Sequence, residues 1–244
     1  MENDMKKIKG IALITGATGD IGGDVVAEGI SRGYFILAFG RNQDKLLALK
    51  DKYQDAIETV SLDLSDEAHV ERILKDMNQK YPKVDVLING AGLFRWDYEY
   101  GKATVDENRL AAMEDLMEQN YTSKVRFMKY FKPLYRGQKV KVIDVSSWAA
   151  QFPLSDLIIW PEWGYVFSMR SVSARNLNLQ KQNDPTDTFS YDLIEPKLID
   201  TPKMRENMKD DSEGRRPTMH VNWEVDAQKP AALAKNIWDL AEQE

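Results

Sequence analysis

The chain has 244 residues, a net charge of −6 and 43% hydrophobic residues. That is enough to bury a sizeable core in one large α/β domain, and the wrong sign for nucleic acid or an anionic membrane as partner. It contains no cysteine and only two histidines, His69 and His220. Disulfides and thiolate metal sites are excluded, and no metal is expected. The opening MENDMKKIKG is charged, and no apolar run approaches about 18 residues, so a reduced, cytoplasmic setting away from membranes is expected.

Short apolar runs alternate with longer helical patterns through the first 195 residues. Strands are predicted at Ile11–Thr15, Phe35–Phe39, Thr59–Leu62, Val84–Ile88, Val140–Val145 and Phe189–Ile194. Most are rich in β-branched or aromatic residues and lack strict alternation, as strands buried on both faces do. Amphipathic stretches such as Asp44–Tyr53, Glu67–Lys80 and Asp106–Phe131 lie between them. The pattern implies a doubly wound, Rossmann-type α/β fold: one domain over residues 1–244, with a parallel sheet of about six strands and helices on both faces. Gln151–Pro161 reads as a loop bearing proline and tryptophan. Thr201–Asp226 is strongly charged and reads as a mobile substrate lid. Gln228–Gln243 is a final helix, with no seventh strand after it.

The first strand runs into Thr15-Gly16-Ala17-Thr18-Gly19-Asp20-Ile21-Gly22, followed by a helix. A glycine-rich strand-to-helix turn lets backbone N–H groups approach a pyrophosphate, and the helix dipole adds attraction. A tight turn with no ligand would read the same way if it stood alone. Further landmarks follow in order. They are Leu62-Asp63-Leu64, Asn89-Gly90-Ala91-Gly92, Asn120 within a long helix, Val145-Ser146-Ser147, and Pro196-Lys197-Leu198-Ile199-Asp200-Thr201-Pro202. Together, over roughly residues 8 to 204, they resemble the short-chain dehydrogenase/reductase family. The resemblance implies a nicotinamide dinucleotide held by Thr15, Gly16, Thr18, Asp20, Ile21, Gly22, Asp63, Leu64, Asn89, Gly90, Ala91, Pro196, Ile199 and Thr201. Asp20 stands where the family usually has a glycine. It is expected to turn away from the phosphates, and its place in the first helical turn suits the dipole.

Cofactor preference is set just after the second strand, about 20 residues past the glycine loop. An NAD site needs a carboxylate there for the ribose 2′-OH. Gly40 stands at that position and Arg41 follows. A guanidinium suits a 2′-phosphate, so NADP(H) is the expected cofactor, with Gly40 and Arg41 in contact with it. The plainer alternative is that Arg41 is a solvated surface charge.

The resemblance gives three catalytic roles: Tyr165 as proton donor or acceptor, Ser147 as hydrogen-bond partner to the same substrate oxygen, and Asn120 as holder of a water in the proton relay. The family's lysine, four residues after the tyrosine, is Met169 here. Met is close to Lys in size but has no charge and donates no hydrogen bond. A cation about 5 Å from a phenolate contributes roughly 3 kcal/mol at an effective dielectric near 20. Its loss weakens Tyr165 as an acid and more so as a base. Arg170 lies about 100° away around the helix and cannot simply substitute. Lysine restored at 169 is expected to raise activity, above all in oxidation. Phe94, Trp96, Trp148, Trp160 and Trp163 suggest a substrate with an apolar or ring portion, or else pack the core.

The leading reading is an NADP(H)-dependent oxidoreductase for an alcohol/carbonyl pair with an altered Tyr-Lys relay. One alternative is a non-catalytic NADP(H)-binding sensor or partner protein, and another is a structural subunit of a heteromeric reductase. Retention of Asn120, Ser147 and Tyr165 favours the enzyme. The resemblance also implies a homodimer formed through Asp106–Phe131 and the Tyr165 helix.

Overall fold

The computed structural model describes residues 8–95, 105–151, 163–182, 188–207 and 222–243. Six parallel strands lie in the order β3-β2-β1-β4-β5-β6. They are β1 Gly10–Thr15, β2 Tyr34–Gly40, β3 Ile57–Ser61, β4 Val86–Asn89, β5 Val140–Val145 and β6 Phe189–Ile194. The helices are α1 Gly22–Ser31, α2 Gln43–Tyr53, α3 Glu67–Lys80, α4 Val105–Met117, α5 Ser123–Leu134, α6 Trp163–Lys181, α7 Pro202–Asn207 and α8 Pro230–Ala241.

Alternate strand residues point to opposite faces, and both faces are covered. Ala12, Ile14, Ile36, Ala38 and Ile88 pack with Val25 and Val26 of α1 and with Leu233, Ile237 and Trp238 of α8. Trp238 is fully buried, and its Nε1–H donates to the Val25 carbonyl at 2.8 Å. On the other face Leu13, Leu37, Leu87 and Val142 meet Val70 and Leu74 of α3 and Phe127, Phe131 and Tyr135 of α5 and its end. Burial pushes the Tyr135 phenol up to about 12.

Strand order reverses between β1 and β4, where Thr15 pairs with Asn89. In an open parallel sheet, ligands bind in the crevice outside the carboxyl ends at such a point. The glycine loop follows β1 there.

Several boundaries move. The third strand occupies Ile57–Ser61, set by its register with β2 from Ile36↔Ile57 to Gly40↔Ser61. The fourth is Val86–Asn89, aligned on β1. The predicted long helix is two helices joined by a π-helical turn at Glu118–Thr122. The predicted lid begins as a helix, not a loop. Thr201 Oγ1 accepts from the Met204 N–H at 3.0 Å, the usual N-cap bond, and Pro202 takes the first helical position. Asp200 braces this stretch through ion pairs with Arg205 and Lys229, which hold its carboxyl below the usual range. Residues 208–221 of that segment, and 152–162 of the tryptophan-bearing loop, lie outside the described residues.

Candidate active site

Two adjoining clefts open at the carboxyl ends of the strands. The first, about 430 Å³, is lined by Thr15, Gly16, Thr18, Asp20, Gly40, Arg41, Asp63, Leu64, Gly90 and Ala91, and also by Lys45 and Lys203. The second, about 300 Å³, is lined by Ile21, Ser147, Tyr165, Met169, Pro196, Ile199 and Thr201, and also by Phe94, Lys124, Ser146 and Trp148. Asp20 and the Gly90–Leu93 stretch line both, so the clefts are continuous.

The first cleft is built from close backbone approaches. Gly16 has φ +75, and a Cβ there would come 2.8 Å from Ala91 backbone atoms. A Cβ on Gly22 would lie 2.1 Å from the Gly16 carbonyl oxygen, so the turn folds directly onto α1. Gly22 shapes the turn and is absent from the lining. The N-cap of α1 is Ile21, and no side chain caps that end. An uncapped helix N-terminus beside glycines is a site for an anionic phosphate. At Gly40 a Cβ would approach Thr18 Oγ1 to 2.6 Å, so a carboxylate side chain there would have to displace the Thr18 side chain. Arg41 hydrogen bonds through Nη1 to Gln119 Oε1 at 3.1 Å, and Lys45 Nζ donates to the Thr18 carbonyl at 3.3 Å. Asp63 accepts from the Ser65 N–H and Oγ–H at 2.9 and 2.8 Å, which with nearby Arg41 holds its carboxyl below the ordinary value. The glycine turn, the α1 N-terminus, Arg41 and Lys45 fit the phosphates of a dinucleotide. Asp20 is exposed and borders both clefts, where the sequence placed it among the cofactor-binding residues.

The second cleft is built from side chains. Tyr165 lies in the first turn of α6 and is half-buried, its ring edge-on to Phe94 with centroids 4.8 Å apart. A Cβ on Gly164 would meet Ala112 backbone atoms at 2.5 Å, so that glycine lets α6 press against α4 just before Tyr165. Met169 is 4% exposed, with its Sδ 3.9 Å from Ser146 Oγ. Ser146 also donates to the Met169 carbonyl at 3.0 Å and shares a hydrogen bond with Ser173 Oγ at 2.9 Å. Its hydroxyl is thus engaged in the packing. Ser147, half-buried, accepts the Ala149 N–H at 3.2 Å.

Besides Gly22, two expected site residues, Asn89 and Asn120, reach neither cleft. Asn89 is fully buried and donates to Asp144 Oδ1 at 2.8 Å, tying β4 to β5. Asn120 is fully buried in the π-helical turn. Its Oδ1 accepts the Leu93 N–H at 2.6 Å, and its Nδ2–H donates to the Leu93 carbonyl and Ser168 Oγ, both at 2.9 Å. Asn120 therefore clamps Leu93, which lines both clefts. Arg170 does not replace the missing cation, since its Nε donates to the Ala150 carbonyl at 2.9 Å. Trp96 and Trp160 lie outside the described residues, as does the side chain of Trp163.

The profile of the short chain dehydrogenase family matches residues 10–160. The chain belongs to this family. It is 26% identical over 191 residues to the NADP-dependent 3-hydroxy acid dehydrogenase of Escherichia coli K12, covering 78% of this chain and 72% of that protein. It is 27% identical over 146 residues to the serine 3-dehydrogenase of Agrobacterium fabrum, covering 60% of this chain and 57% of the relative. Among solved structures, the closed form of serine dehydrogenase complexed with NADP+ superposes with a TM-score of 0.78 at 23% identity, covering 96% and 90% of the two chains. A Burkholderia cenocepacia short chain dehydrogenase in complex with NADP gives 0.73 at 18% identity, covering 96% and 85%. The parallel sheet with helices on both faces matches the fold of these solved short chain dehydrogenases.

Reasoning from the sequence missed Lys45, Lys124 and Lys203. Lys45 was findable, in the first turn of the helix that follows Arg41. Lys124 had a clearer signal: it is one turn after Asn120 and on the stripe that carries Phe127, Met128 and Phe131.

Proposed function

We propose that this short chain dehydrogenase is an NADP(H)-dependent oxidoreductase acting on an alcohol/carbonyl pair. The observation that carries this reading is the continuity of the two clefts. Ser147 and Tyr165 border a mostly apolar chamber that opens directly onto a phosphate-type cleft holding Arg41 and Lys45. In the first cleft, Gly16 and the α1 N-terminus would hold the pyrophosphate. Arg41 and Lys45 would hold the 2′-phosphate, and the crowding at Gly40 disfavours the carboxylate that an NAD site needs. Names of the relatives, several of them NADP-dependent dehydrogenases, support the same cofactor.

When bound, the nicotinamide supplies or accepts the hydride. Ser147 Oγ–H donates to the substrate oxygen and orients it. Tyr165 moves the proton at that oxygen, giving it during reduction and taking it during oxidation. Asn120 acts through Leu93, fixing the wall that both ligands would touch. Phe94 and Trp148 give the chamber an aromatic side suited to an apolar substrate portion. Exposed Leu110, Val125 and Leu177 on α4, α5 and α6 support the homodimer expected through those helices.

The test is NADPH and NADH titration, followed by single-turnover hydride transfer to a carbonyl panel that includes 3-oxo acids. Tight NADPH binding with turnover supports the reading. Tight binding with no turnover on any carbonyl would favour a cofactor-binding partner protein.

A further inference from the structure

Lys124 is a lysine in the wrong place for a solvated charge. It is 2% exposed, in the α5 stripe that buries Phe127, Met128 and Phe131. Its Nζ donates to the Val145 carbonyl at 2.8 Å. An ammonium has three donors, and this is its one hydrogen bond among the described residues. No carboxylate among them lies within ion-pair distance of it. The nearby acid is Asp144 on β5, and its partners are others: Arg175 at 3.2 Å, Asn176 at 2.9 Å and Asn89 at 2.8 Å. A buried ammonium that served only structure would be expected to have its own counter-charge, since an unpaired one is costly. Lys124 instead borders the chamber shared by Tyr165, Ser147 and Met169.

Residue spacing explains the placement. Lys124 follows Asn120 by four positions, so the two share a face of the helix. Asn120 reaches Ser168 on α6, the residue before Met169. The lysine therefore approaches from α5 the same part of the chamber that residue 169 approaches from α6.

We propose that Lys124 supplies the ammonium that the α6 position lacks, with its two remaining N–H groups serving the bound dinucleotide's ribose and the Tyr165 side of the chamber. The inference rests on the oxidoreductase reading above, and it makes the Tyr-Lys relay relocated rather than disabled. A cation there favours the tyrosinate form. Burial pushes the Lys124 ammonium down to about 8, with Asp144 opposing and Arg175 adding to the drop. Of the other charged groups lining the chamber, Asp20 and Lys197 lie at its exposed rim. Lys124 is thus charged at neutral pH and loses its charge just above it.

The experiment is NADPH affinity by fluorescence, with thermal melting, for the wild type, Lys124→Met, Met169→Lys and the double variant. Lys124→Met should fold and bind NADPH roughly tenfold or more weakly, the scale of hydrogen bonds to a charged group. Adding Met169→Lys should recover most of that loss. In the wild-type background Met169→Lys should bring little gain, because two ammoniums would then share one chamber. Wild-type affinity should fall as pH rises through about 8, and the double variant's should not. Unchanged affinity in Lys124→Met overturns the proposal, as does an equal gain from Met169→Lys in both backgrounds. If Lys124→Met fails to melt cooperatively, the pH series decides, and a flat wild-type affinity between pH 7 and 9 overturns the proposal. A wild type that binds no NADPH overturns the oxidoreductase reading itself, and this inference with it.

Discussion

The cleft at the glycine loop and the chamber at Tyr165 lie side by side and are built by opposite means. Along the first, the chain presents backbone: Gly16, Gly22 and Gly40 each stand where a Cβ would collide. Along the second it presents side chains, and their positions are set by other side chains: Ser146 on Ser173, Asn120 on Ser168, Phe94 on Tyr165. A backbone-built site tolerates little change of residue type. A site built from side chains lets one function move between helices, provided the same volume is reached. Met169 and Lys124 are read here as such an exchange.

The sharpest break between the two halves comes from Tyr165→Phe. It removes one hydroxyl and keeps the ring against Phe94. Turnover should fall by roughly 10²- to 10⁴-fold, the usual contribution of a positioned acid or base. NADPH affinity should stay within about threefold, because the change removes at most one neutral hydrogen bond. Single-turnover rates and fluorescence titration on one preparation check both halves. A variant that still transfers hydride at the wild-type rate would remove Tyr165 from the chemistry.

Next in size is a stability effect at Lys124. A drop from the ordinary 10.5 to about 8 corresponds to about 3 kcal/mol, at about 1.4 kcal/mol per pH unit. The sign follows from proton counts. Between pH 8 and 10.5 the unfolded chain holds a proton on this lysine that the folded chain has lost, so stability rises with pH in that window. Below pH 8 the full penalty is present. Lys124→Met should therefore be more stable than wild type at pH 7, by about 3 kcal/mol less the roughly 1 kcal/mol hydrogen bond to Val145. The gap should close as pH approaches 10.5. Urea denaturation of both proteins across that range is the measurement. A less stable variant at pH 7 would mean that Lys124 is paid back by contacts within the fold.

The same contrast decides how much the sequence could tell. The inner strands β1, β2 and β4 were legible because they are buried on both faces and read as apolar runs, and β5 and β6, though interrupted by polar residues, carry the bounds expected of them. The phosphate loop was legible because glycine in a strand-to-helix turn has few other uses. The π-helical turn at Glu118–Thr122 was not, since nothing in the periodicity of Asp106–Phe131 marks one extra residue in a turn. Asn89 and Asn120 were correct as landmarks yet hold the frame and line neither cleft. Lys124 escaped notice because a lysine in an amphipathic helix ordinarily carries its charge to water. The helix at Pro202–Asn207 was hidden by the charge around it, although Thr201-Pro202 is a helix-start signal.

A smaller effect is expected where the backbone-built cleft does use a side chain. Arg41→Asp should weaken NADPH binding by roughly 10- to 100-fold, the range for a charge-assisted hydrogen bond. NADH binding should hold or improve, which reverses the preference. Lys45 remains in the cleft and limits the loss. Equal affinity of the unmodified protein for NADPH and NADH would remove Arg41 from the 2′-phosphate.

The smallest effect probes how tightly the side-chain network is braced. Ser168 is fully buried; its Oγ–H donates to the Tyr165 carbonyl at 2.8 Å, and its Oγ accepts from Asn120 Nδ2–H at 2.9 Å. Ser168→Ala removes both bonds, yet Asn120 Nδ2 keeps the Leu93 carbonyl and Oδ1 keeps the Leu93 N–H. The second Nδ2–H of Asn120 then loses its acceptor in a fully buried place, so the cost should be roughly 1–2 kcal/mol of stability. The rate should drop less than about threefold, because Leu93 stays clamped and Tyr165 stays on α6. Urea midpoints and single-turnover rates give the two numbers. A rate loss approaching that of Tyr165→Phe would mean that the Asn120–Ser168 link, and not the Leu93 clamp alone, sets where the Tyr165 hydroxyl stands.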